Sequence, residues 1–147
     1  MSYHSFLQQV RRNSVALISL TIALASLGYN TWRNEVTEQN RNVRTAGFAL
    51  IERLAELDEV AIHMRYARDD MTAAELENSR KRGWVQVIAM RDLRYFMPDN
   101  VNEESTQLYS KWQMYSDELG NKASYDRVNN SIESLRESVL TAIGELD

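Results

Sequence analysis

The 147-residue sequence has no cysteine, a single proline, five glycines and two histidines. Without cysteine there is no disulfide framework, thiolate zinc site, iron–sulfur cluster or cysteine nucleophile. His4 and His63 are too few for a histidine-rich metal site. So little proline and glycine argues against a turn-rich β sandwich or barrel. An excess of positive charge is also missing: the formal net charge is -4, the wrong sign for nucleic acid as the main partner. Yet 44% of the residues are apolar while the mean hydropathy is negative, so the apolar residues are unevenly spread.

The largest concentration lies where charge is absent. No charged residue falls between Arg12 and Arg33, and Val15 to Leu27 is interrupted only by Ser19, Thr21 and Ser26. About 20 residues suffice for a helix to cross the hydrocarbon core, and Asn13 to Trp32 reaches that length. Hydroxyls in such a helix bond to their own preceding carbonyls. Tyr29 and Trp32 stand where an aromatic interface anchor belongs, and Arg11, Arg12 and Arg33 frame the ends. The sequence therefore predicts a short N-terminal tail over 1–12, one transmembrane helix over 13–32 and an extramembrane body over 33–147. A cleaved signal peptide is the rival reading, with Ala23-Leu24-Ala25 as the small-x-small pattern before a cut.

Lys and Arg counts on the two sides are nearly tied. Arg11 and Arg12 precede the span, and Arg33, Arg41 and Arg44 follow it. The short basic tail and the acidic C-terminal bulk favour a cytoplasmic N-terminus and a body outside the inner (cytoplasmic) membrane, in a periplasm or extracellular space.

From Val36 onward the spacing is helical. Val36, Asn40, Val43, Gly47, Leu50, Leu54, Leu57, Ala61 and Met64 alternate steps of four and three, the heptad signature of a coiled-coil-type seam. No proline occurs from Asn13 to Arg68, so the transmembrane helix is expected to continue into this seam as one rod of about 80 Å, roughly 50 Å of it clear of the membrane. Phe48, Ile51, Ala55, Ile62 and Tyr66 make a second stripe, which calls for more than one partner helix. Thr72 and Glu75 read as a capping box. The second helix is expected over 73–96 with Leu76, Trp84, Val85, Val87, Ile88, Leu93 and Phe96 buried. Met97-Pro98 ends it, and Asn100 with Glu103 suggests the next N-cap. A third helix over 101–119 carries Val101, Ser105, Leu108, Trp112, Tyr115 and Leu119, with Gly120-Asn121 as its stop. The fourth, over 124–146, has the seam Tyr125, Val128, Ile132, Leu135, Val139, Ala142 and Leu146. With the first helix running over 33–68 beyond the membrane, short connections make neighbours antiparallel. The predicted fold is all-α: a single N-terminal transmembrane helix continuing into an antiparallel four-helix bundle.

Catalytic patterns are missing. Glu56, Glu59 and His63 share a helix face, but di-iron bundles need paired Glu-x-x-His motifs and zinc needs more nitrogen or sulfur ligands. A surface ion pair between Glu59 and His63 is the expectation. The carboxylate pairs, such as Asp69-Asp70 and Asp117-Glu118, read as solvated charge near helix ends. There is no P-loop and no nucleophile elbow. No enzyme activity, cofactor or metal is expected.

Three features point to binding instead. Ala16, Ser19, Ala23 and Ser26 line one face of the apolar helix with small residues, as close helix contact in lipid requires. Asn40 and Gly47 occupy seam positions where large apolar groups are expected, so this stalk either is hydrated or faces a partner. Arg80, Lys81, Arg82, Arg91 and Arg94 form the one basic patch. The stretch 72–98 has five basic and three acidic residues, whereas 99–147 has four basic and ten acidic. Packing of this basic helix beside the acidic ones, or against acidic lipid or an acidic partner, is favoured over nucleic acid. The expected partners are the lipid bilayer and other membrane-complex proteins or a second copy. The chain then reads as a non-catalytic single-pass subunit or scaffold with an assembly, stabilising or regulatory role. The layout is similar to extracytoplasmic helical bundles of bacterial receptors, which implies the alternative of a ligand-sensing bundle that binds a small molecule and signals through a partner. An envelope-spanning coiled-coil rod fits less well, because Asp69, Pro98 and Gly120 break the heptads.

Overall fold

The structure, a computed structural model, describes residues 13–146. The tail over 1–12, with Arg11 and Arg12, lies outside the described residues. Among the described residues there are four α-helices and no strand: α1 Ser14–Tyr66, α2 Ala73–Leu93, α3 Asp99–Tyr115 and α4 Lys122–Gly144. The chain forms two compact units, Met1–Gln39 and Asn40–Asp147, and α1 contributes to both.

In the first unit α1 has the form expected of a lipid-facing helix. Val15, Leu17, Ile18, Leu20, Ile22, Leu24 and Leu27 are all exposed. Thr21 donates its hydroxyl to the Leu17 carbonyl at 2.9 Å, and Thr31 to that of Leu27 at 2.9 Å. Tyr29 and Trp32 stack at a tilt with centroids 6.0 Å apart. This helix is long and apolar enough to cross a membrane.

The second unit is an antiparallel four-helix bundle, and contacts between neighbours fix its order. Arg53 of α1 reaches Gln86 of α2 at 3.4 Å. Trp84 of α2 meets Tyr109 of α3 edge-on at 5.6 Å. Arg127 of α4 bonds the hydroxyl of Tyr115 on α3. Asp58 of α1 pairs with Arg136 of α4 at 3.4 Å, and Tyr66 lies against Tyr125 at 6.0 Å. Paired positions shift in opposite senses along neighbouring helices: Tyr66 meets Tyr125 but Asp58 meets Arg136, and Arg80 meets Asp117 but Arg94 meets Thr106, so neighbours run in opposite directions, as short connections dictate.

Local sequence sets the helix ends. Thr72 and Glu75 form the capping box: the Thr72 amide donates to Glu75 Oε2 at 2.7 Å and the Glu75 amide to Thr72 Oγ1 at 3.2 Å. Two expectations fail. Asn100 is no cap, because α3 starts one residue earlier at Asp99, after Pro98, whose fixed φ suits a helix entry. Gly120 is no left-handed stop either, since no glycine among the described residues has positive φ. A Cβ there would lie 2.4 Å from Arg68 Cδ, so Gly120 makes room for α1's end. The side chain of Asn121 instead starts α4, accepting from the amides of Ala123 at 2.8 Å and Ser124 at 3.4 Å.

The core follows the predicted seams on three helices, on α1 only from Val43 onward, since Val36 is exposed and Asn40 half-buried. Val43, Gly47, Leu50, Leu54, Leu57, Ala61 and Met64 are buried on α1, and Val128, Ile132, Leu135, Val139 and Ala142 on α4. On α3, Val101, Ser105, Leu108 and Trp112 are buried while Tyr115 is half-buried. Of the second stripe of α1 only Ile51 packs against the core; Phe48, Ala55, Ile62 and Tyr66 are exposed. On α2 the buried face is Ser79, Gly83, Val87 and Met90, whereas Val85, Ile88 and Phe96 are exposed. The reason is the Trp112 ring. A Cβ on Gly83 would sit 2.0 Å from its Cζ2 and 2.4 Å from its Cη2. Trp112 has no exposed surface, so the small-residue face of α2 closes over it and the larger apolar residues turn outward.

Candidate interaction surfaces

The small-residue face of the apolar helix, Ala16, Ser19, Ala23 and Ser26, is exposed throughout. Seven aliphatic side chains around it are between 48% and 75% exposed. At about 25 cal/mol per Å² of apolar surface, leaving them in water costs on the order of 10 kcal/mol. Lipid removes that cost on every side. Close packing of another helix gains most on the side with small residues, because backbones approach nearest there.

The two stalk residues separate. Asn40 is half-buried. Gly47 is buried, and its neighbour is the chain's own α4: a Cβ there would lie 2.7 Å from Ile143 Cδ1 and 3.6 Å from Met97 Cε. The close approach that Gly47 permits is thus made within the bundle, and the expectation that it faces a partner is corrected. The sequence could not show this, because a seam glycine looks the same whichever helix fills its groove.

The basic residues do not form one patch. Arg80 binds Glu77 at 2.5 Å and Asp117 in the turn that follows α3, and the Asp117 carboxylate raises its already high pKa further. Lys81 reaches Glu77 at 3.5 Å. Arg91 pairs with Asp92 at 3.4 Å and lies over the Tyr109 ring, 5.8 Å from its centroid. Arg94 bonds Thr106 and lies over Tyr95 at 5.4 Å. Arg82 is exposed. Successive residues in an α-helix are turned by about 100°, so Arg80, Lys81 and Arg82 point to different sides. Arg80, Arg91 and Arg94 tie α2 and the turn after it to α3 and the turn after that, Arg80 through a carboxylate and the other two through the Tyr109 ring and the Thr106 hydroxyl.

Glu59 and His63 make no ion pair among the described residues, and His63 is exposed. Among the described residues no group of three or more acidic or histidine side chains is placed to hold a metal ion. Burial, and secondly the nearby Asp58 carboxylate, raise the pKa of the Tyr125 phenol. That reflects packing against α1.

Among the described residues the bundle has an open concave site of about 510 Å³ beside Arg68, Asp117, Glu118, Gly120 and Asn121, and two others. A small one of about 120 Å³ lies between Met64, Leu76, Arg80 and Ser116. An open groove of about 440 Å³ runs between α1 and the end of α2, with Arg41, Ala46, Leu93 and Phe96 in its walls. Compared with protein-family models, with curated proteins and with solved structures, the chain finds no match.

Proposed function

We propose that the chain is a non-catalytic, single-pass subunit of the inner membrane whose apolar helix and bundle bind other proteins of a membrane complex. The N-terminus is cytoplasmic and the bundle lies on the outer side. One observation carries this reading: no residue of the apolar window is buried against the chain's own fold, while the bundle completes its core from Val43 onward. A helix of this kind needs lipid and, on its small-residue face of Ala16, Ser19, Ala23 and Ser26, has the shape for another helix. The bundle adds exposed Phe48, Ile62, Tyr66, Val85 and Ile88, the aromatic and aliphatic anchors from which protein interfaces are built. The test is purification of the full chain in mild detergent at native expression. The expected result is stoichiometric co-purification of one or more membrane proteins, lost when Ala16, Ala23 and Ser26 are replaced by leucine. A lone, monodisperse homodimer rejects the subunit role.

A further inference from the structure

The groove between α1 and the end of α2 lies wholly within the second unit, and its chemistry is one-sided. One wall is the small-residue side of α1, with Thr45, Ala46 and Ala49, and the other is Leu93 and Phe96. Phe96 is 58% exposed although its ring lines the groove. The single charged residue in the lining is Arg41; no acidic side chain contributes. Arg41 is exposed and makes no ion pair among the described residues. Most other bundle arginines are held: Arg53, Arg80, Arg91 and Arg136 by carboxylates, Arg94 and Arg127 by hydroxyls. The volume of about 440 Å³ falls in the roughly 300–1,000 Å³ range of small-ligand sites.

An apolar slot with one uncommitted guanidinium at its edge suits a ligand that is apolar along its length and anionic at one end. A guanidinium grips phosphate with parallel N–H donors, a geometry an ammonium lacks. Asn42, in the same lining, adds an amide donor beside it. We infer that this groove is a binding site for one acyl chain of an anionic phospholipid, with the phosphate on Arg41 and the chain along Ala49, Leu93 and Phe96. The inference rests on the reading of the chain as membrane-anchored, since that anchor places it among phospholipids.

The test uses the full chain reconstituted in nanodiscs of phosphatidylcholine with a minority of phosphatidylglycerol, then released and weighed by native mass spectrometry. One phosphatidylglycerol is expected to stay bound. Arg41→Glu, which reverses the charge, and Ala49→Trp, which fills the slot from its half-buried wall, should each lower that occupancy roughly tenfold; Arg41→Lys should lower it less. Both sites lie outside the buried core, and unchanged melting temperatures confirm that the variants fold. Failure to enter the nanodisc rejects the anchor. Normal insertion without retained phosphatidylglycerol rejects the groove alone. Retention that survives both variants means lipid around the apolar helix and overturns the site. Equal retention of phosphatidylcholine, preferential capture of added palmitate, or a dimer that Ala49→Trp dissolves overturns it too.

Discussion

Gly83→Ala tests the account of the core. In an exposed helix this change stabilises by about 1 kcal/mol through backbone entropy. Here the new methyl would lie 2.0, 2.4 and 2.9 Å from Trp112 Cζ2, Cη2 and Cε2. A flexible tip could swing away from such a contact, but an indole with no exposed surface cannot. Overpacking costs typically 1–3 kcal/mol and sometimes more, and contact with a locked ring puts this case at the top of the range. After the helix-propensity gain the net loss is about 2 kcal/mol. At roughly 4 °C or more per kcal/mol for a unit near 100 residues, melting falls by about 8 °C or more. Trp112→Phe removes the ring atoms that Gly83 faces. It loses no hydrogen bond, because Trp112 Nε1 is buried without a partner, so its cost is mainly a cavity of about 1–2 kcal/mol. The double variant should then be less destabilised than the sum of the two by at least about 1 kcal/mol. Urea denaturation of the four proteins, followed by circular dichroism, gives all the terms. A Gly83→Ala variant that melts higher than wild type, or strict additivity in the cycle, refutes this packing.

Gly47→Ala should change stability by less than about 1 kcal/mol, because its Cβ meets the mobile end of Ile143 and the helix gain offsets the adjustment; a thermal melt beside Gly83→Ala checks the contrast. Thr72→Ala should cost about 1 kcal/mol by removing the cap of α2. The backbone and side-chain hydrogen bonds of Thr72 lower the Glu75 pKa below its ordinary 4.5, so that contribution is present above about pH 4.5 and lost as pH falls through the depressed value. Wild type should therefore lose more stability than Glu75→Gln on acidification below that pH, and parallel curves in an acid titration would contradict this. Asp58→Asn removes a pair between side chains about a quarter exposed. Glu133 still holds Arg136, so the loss should be about 0.5–1 kcal/mol and smaller at high salt, as denaturation at two ionic strengths will measure.

How much was legible in the sequence varies by element. The α1 and α4 seams were readable because large aliphatics repeat at heptad spacing and nothing else could fill the bundle axis. On α2 the same logic placed only part of the face. It was right for Val87, which is buried, and for Leu76, Trp84 and Leu93, which pack half-buried against the core, but it ranked the exposed Val85, Ile88 and Phe96 as core and passed over Ser79, Gly83 and Met90. The missing information was the partner: the size of Trp112 decides which side of α2 can approach, and that contact joins residues far apart in sequence. The five basic residues looked like one patch because a linear run hides the turn of about 100° per residue. Gly120 was read as a turn residue, and the space it leaves for Arg68 could not be seen without the fold. The groove had no sequence signal at all, since Arg41, Ala49 and Phe96 belong to separate motifs and only the antiparallel α1–α2 pairing brings them together.

The proposed contact between one face of the apolar helix and another membrane protein can be read by photo-cross-linking in intact cells, with a photoreactive amino acid placed in turn at Ala23 and at Leu24. Leu24 lies about 100° round the helix and away from the small-residue face. The account predicts a discrete adduct with a different membrane protein from Ala23, and lipid adducts alone from Leu24. Lipid adducts alone from both positions, or only adducts between two copies of this chain, would contradict it.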